Sequence, residues 1–201
     1  MNNIIYLNQY KQQRTIYLSE DILNEYTNYY DGEIDIIDIL KKMDFEIIFK
    51  KDFERFDNDD IALLSIHKYF LKQYGTDKVI YVNDYFSKNI IRYNLACLLG
   101  SYVNNYRGER YLERRQKTYL NNNETELDKA INNIFAINLL MPEDLFLDKY
   151  AEYRSLNYSH TKVTIELSKF FQVPYNKVLE RYTYLDKQIP KKTKIYTFKK
   201  I

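Results

Sequence analysis

Cysteine occurs once, at Cys97, in a chain of 201 residues. An intrachain disulfide framework is thereby excluded, and a reducing, cytoplasmic setting is expected. Tryptophan is absent, histidine occurs only as His67 and His160, and glycine and proline number 4 and 3. No apolar run is long enough to span a bilayer. The opening MNNIIYLNQYKQQR lacks the charged-then-apolar order of a secretory signal. The formal net charge of +2 gives no broad polyanion-binding surface. The length suits one domain with a small appendage, enough to bury a real core.

What is abundant is tyrosine, at 22 residues, with 11 phenylalanines. Tyr, Asn, Lys and Ile share AT-rich codons, so a low-GC bacterium, phage or plasmid is the expected source. Codon bias accounts for most of the tyrosines. Exposed ones still leave a binding surface open, since Tyr is a common interface residue.

The stretch that organises the chain is Arg92–Tyr102, RYNLACLLGSY. Ser87 offers an N-cap, and Ile91, Leu95, Leu98 or Leu99, and Tyr102 follow at helical spacing. A buried core helix is the plain reading. A second stretch, Ile134–Pro142, reads IFAINLLMP and follows Asn132 and Asn133.

Together these stretches resemble the ImmA/IrrE family of metallopeptidases. Its central helix has the form R-F-T-x-A-H-E-L-G-H, and its second segment A-N-x-F-A-x-x-L-L-M-P. Arg92–Ala96 falls on R-F-T-x-A and Leu99–Gly100 on L-G. The three positions that carry chemistry become Cys97, Leu98 and Ser101. The family's third ligand is an acid just upstream of the second segment, where this chain has Lys129 and Ile131. H-E-x-x-H works because two imidazoles one turn apart hold Zn²⁺ while the Glu takes a proton from the metal-bound water. Leu98 accepts no proton, Ser101 is a poor ligand, and Cys97 alone does not hold an ion. Asp128 and Glu126 lie out of frame. The resemblance, over residues 34–186, thus implies an α+β, zincin-like domain, mostly helical with a small sheet, that keeps the scaffold and has lost ligands and base together. No metal and no cofactor are expected.

Along the chain, residues 1–33 form an N-terminal extension, with Thr15–Leu18 expected as a short strand and Ser19 as the cap of a helix. The family-like domain spans 34–158. In it Ile34–Lys42 reads as a helix, Phe45–Lys50 as a strand, Ser65–Gln73 as a helix and Lys78–Asn83 as a strand. Phe53–Asp60 is an acidic loop without the glycine turn and terminal Glu of a calcium loop. Asn104–Tyr119 interleaves arginines with glutamates, as an exposed helix or loop does. Asn123 is expected to cap a helix ending before Pro142, and Glu143–Tyr153 to form another. His67 and His160 lie in different elements, away from the displaced ligand positions.

Residues 159–186 form a helix pair with a break at Gln172–Pro174, which resembles a helix-turn-helix. As a DNA reader it would offer Lys162, Tyr175, Asn176, Lys177 and Arg181, joined by Lys191, Lys192 and Lys194 of the basic tail 187–201. The family has such a pair at this place, where it can simply pack the domain.

Three functions remain open from the sequence. A dead peptidase acting as a protein-binding regulator or inhibitor would take a repressor or a host defence protein as its partner. This reading follows from the resemblance, whose members travel on phages and mobile elements and cut DNA-binding repressors. A DNA-binding regulator would use the helix pair and the tail, so nucleic acid is the alternative partner. A rebuilt enzyme would use Cys97 as nucleophile, but neither histidine is placed to serve as its base.

Overall fold

A computed structural model describes residues 2–27, 33–51, 60–106 and 125–188. Its elements are α1 (Asn2–Tyr26), α2 (Ile36–Lys42), β1 (Phe45–Lys50), β2 (Ala62–Ile66), α3 (Phe70–Tyr74), β3 (Lys78–Asn83), α4 (Lys88–Tyr106), α5 (Glu126–Leu140), α6 (Glu143–Ser155), α7 (His160–Phe171) and α8 (Tyr175–Gln188). The fold is the expected α+β one, mostly helical with a small sheet. The acidic loop before Asp60, Asn123, most of the arginine-rich stretch and the tail beyond Gln188 lie outside the described residues. Among the described residues no helix is long and apolar enough to cross a membrane.

The sheet has the order β1-β3-β2. β1 runs parallel to β3 from Phe45 against Lys78 to Lys50 against Asn83. β2 runs antiparallel to it, Leu64 opposite Ile80. The β-branched and aromatic run KVIYVN suits the central strand, where Val79, Ile80 and Val82 are fully enclosed. The helix expected over Ser65–Gln73 is corrected. Ala62–Ile66 is a strand, and only Phe70–Tyr74 is helical, closed by Gly75 at φ 76°. A short apolar run with buried residues on both faces does not declare its period, and pairing with β3 decides it.

A second correction concerns the N-terminus. Thr15–Leu18 is no strand, and Ser19 caps nothing, because α1 runs unbroken through both. Thr15, Ser19, Ile22 and Leu23 are buried, a helical stripe whose first two members are polar. The hydroxyls return to the helix itself, Thr15 Oγ1 to Lys11 O at 2.8 Å and Ser19 Oγ to Ile16 O at 2.7 Å. This face of α1 packs against α5 and, less extensively, α4.

α4 and α5 make the most extensive contact between described elements. Gly100 allows it, for a Cβ there would stand 2.9 Å from Phe135 Cδ1. α5 starts at a capping box in which Thr125 and Asp128 exchange hydrogen bonds, so Thr125 takes the place expected for Asn123. α6, α7 and α8 close around Phe146, whose ring lies 5.7 Å from Phe171 and 5.4 Å from Tyr182. Between α7 and α8, Gln172 adopts the left-handed conformation that ends α7. Its amide donates to Glu33, and Glu33 pairs with the enclosed Arg92 Nη1 at 2.9 Å. One carboxylate thus joins the turn of the helix pair to the central helix.

Candidate functional site

Residues 93, 97, 101 and 104 of α4 share one face, since each follows its predecessor by three or four positions. This stripe holds Cys97 and Ser101. Leu98 turns about a quarter-circle away and is part of the core. Ser101 is buried and Cys97 is partly exposed.

At the N-terminal end of the stripe the Tyr93 hydroxyl donates to Asn133 Oδ1 on α5 at 2.5 Å. The same oxygen accepts from Lys177 Nζ on α8 at 2.8 Å. Asn133 Nδ2 donates to Glu180 Oε2, and Lys177 Nζ pairs with Glu180 Oε1, each at 2.8 Å. The Lys177 ammonium also lies 4.9 Å from the centre of the Tyr93 ring. Burial holds the Tyr93 hydroxyl neutral well above the usual phenol range, with Cys97, Glu180 and Tyr184 beside it adding to the shift. The outcome is a closed polar cluster of α4, α5 and α8 next to the thiol.

At the C-terminal end, Asn104 is fixed by α1 and by its own helix. Thr15 Oγ1 stands 3.2 Å from Asn104 Oδ1, and Asn104 Nδ2 donates to Gly100 O at 2.9 Å. Of the positions set against the third ligand, Ile131 is buried, whereas Lys129 is exposed and paired with Glu126 at 2.9 Å. Asp128 is engaged by the capping box, its Oδ2 taking the Thr125 hydroxyl at 2.7 Å.

The zinc that the resemblance implies does not fit these residues. A thiol, a hydroxyl, two aliphatic side chains and an ammonium offer one good ligand, where a catalytic zinc needs three. Among the described residues no three His, Cys, Asp or Glu side chains come together in a group able to hold a metal ion. His67 lies outside the stripe, where its Nδ1 accepts the Tyr69 N–H at 3.1 Å. His160 begins α7, just after its cap Ser159, with its ring 5.0 Å from Tyr182.

Of the residues proposed from sequence to read DNA, those described differ in their surroundings. Lys162 is exposed on α7 and pairs with Glu166 at 2.5 Å. Tyr175 and Asn176 are exposed at the start of α8, while Lys177 belongs to the cluster above. Arg181 is corrected: it has no exposed surface, and its Nη1 donates to Asn138 Oδ1 at 2.7 Å. Its position between Val178 and Leu185 on the apolar stripe of α8 was the sign that it points inward. Lys191, Lys192 and Lys194 lie outside the described residues.

Sequence reasoning missed Asn133, Glu180 and Tyr184 as neighbours of Tyr93. The available signal was their spacing, for Lys177, Glu180 and Tyr184 repeat at three and four residues along one face of α8. No curated protein matches the chain. The model of the IrrE N-terminal-like domain, of the peptidase M78 family, matches residues 48–183, and the chain, which carries the sheet-backed central helix and its α5 partner within that span, belongs to this family.

Proposed function

We propose that this member of the family is catalytically inactive and acts in the cytoplasm by binding protein, as a regulator or inhibitor encoded on a phage or mobile element. The partner class is a repressor or a host defence factor, taken from the habits of the family. One observation carries the reading. The face of α4 that would hold hydrolytic chemistry presents Cys97 and Ser101, and the polar groups beside the thiol bond to one another. The Leu98 side chain, where the family pattern has its Glu, can take no proton from a bound water.

Protein binding is favoured over DNA reading by the state of α8. Arg181 is enclosed and Lys177 is spent on Asn133 and Glu180. That removes two of the cations a major-groove helix would present.

Metal content decides the matter. Protein purified without chelator is expected to carry far less than one equivalent of zinc by mass spectrometry of the elements. One equivalent, lost on Cys97→Ser or Asp128→Asn, would overturn the proposal.

A further inference from the structure

Beside the C-terminal end of the α4 stripe lies a hollow lined by Lys11, Arg14, Asn104, Asp128, Ile131 and Asn132. Three helices build it. Lys11 and Arg14 are one turn apart on α1 and share a face. Asn104 comes from α4, where its carboxamide is fixed by Thr15 and Gly100. Asp128, Ile131 and the buried Asn132 come from the first turns of α5.

We propose that this hollow captures the C-terminal carboxylate of a peptide. Two cations face one carboxylate, so the balance of charge favours an anionic guest. The planar guanidinium of Arg14 matches the two oxygens of a carboxylate, and Lys11 adds a point charge. Asp128 sets a further condition. An anion without a donor is repelled by it, whereas a guest that places an N–H one bond or two from its carboxylate satisfies both walls. A peptide terminus has that arrangement, its last amide N–H lying on the same residue as its carboxylate. Ile131 supplies an apolar wall for the final side chain, so an aliphatic last residue is preferred. Inorganic phosphate shares the negative charge but brings no apolar group. The inference rests on the hollow alone and holds whether or not the chain cuts peptide bonds.

Fluorescence anisotropy with the full chain tests it. The probe is a short dye-labelled peptide ending in leucine with a free carboxylate, compared with the same peptide amidated and with inorganic phosphate as competitor. The free acid is expected to bind saturably, and the amide about tenfold more weakly or worse. Arg14→Gln and Lys11→Gln each weaken the free acid by a similar factor, while Lys41→Gln on α2 leaves it unchanged. Circular dichroism confirms that the variants are folded. Equal binding of acid and amide, competition by phosphate as strong as by the unlabelled peptide, or no saturable binding would each overturn the assignment. Zinc content, which tests the loss of catalysis, is not altered by any of these outcomes.

Discussion

Arg181 donates from Nη1 to Asn138 Oδ1 at 2.7 Å, and the guanidinium is fully enclosed. Among the described residues its Nε and Nη2 have no hydrogen-bond partner, and Glu143 and Glu20 act on it as charges. Burial therefore brings its pKa down to about 10. A buried cation so poorly paired costs nearly as much as it returns. Arg181→Met keeps the volume of the stem and removes the poorly paired charge but leaves the Asn138 oxygen without its donor, so a loss of about 1 kcal/mol is expected. Arg181→Ala orphans the same oxygen and opens a cavity as well, at a loss of about 2–4 kcal/mol. Urea unfolding of the two variants measures the difference. Equal losses would mean that the guanidinium itself, and not its bulk, holds α8 to α5.

Gly100 sets the approach of α4 to α5. An added Cβ would meet Phe135 Cδ1 at 2.9 Å and its Cβ and Cγ at 3.0 Å, and that ring is fully enclosed. Gly100→Ala gains about 1 kcal/mol of helix propensity. Overpacking costs about 1–3 kcal/mol, so a net loss is expected. Combining Gly100→Ala with Phe135→Leu relieves the contact, so the double variant should be more stable than the sum of the single losses allows. Strict additivity in a double-mutant cycle would show that the ring is not what limits the approach.

The legible parts of this molecule are those whose local pattern and tertiary fate agree. KVIYVN is β-rich and becomes the central strand, and IFAINLLMP is apolar throughout and becomes the enclosed half of α5. α1 is illegible locally because its buried stripe begins with Thr15 and Ser19, which carry hydroxyls and invite a strand or a cap by local preference. Their burial against α5 is decided by contact, not by propensity. In the candidate site, Cys97, Leu98 and Ser101 could be placed from the motif frame alone. The cluster around Tyr93 could not, because it needs α5 and α8 to meet beside α4, and no spacing within one segment encodes that meeting. The charge of Arg181 suggests the surface, although its place in the stripe of α8 points inward.

The hydroxyl of Tyr93 makes alkaline pH a probe of the cluster. Burial first, then Cys97, Glu180 and Tyr184, raise its pKa above the ordinary value of 10.0. The folded state thus holds a proton that the unfolded chain releases. For a group whose folded pKa is raised, the stabilisation is fully present below the unfolded value and is lost as pH rises above it. Tyr182, Tyr184 and Tyr153 are shifted the same way, whereas Arg181, a base with a lowered pKa, contributes with the opposite sign above about pH 10. Stability should therefore be flat up to about pH 9 and fall above about pH 10. Tyr93→Phe removes the bond to Asn133 and costs about 1 kcal/mol near neutral pH. It also removes one titrating group, so its curve should decline less steeply and converge on that of the parent as the medium becomes more alkaline. Urea midpoints across that range, read alongside tyrosinate absorbance, follow both effects. Parallel curves would mean that Tyr93 ionises as readily in the folded protein as in the open chain, and that the cluster does not enclose it.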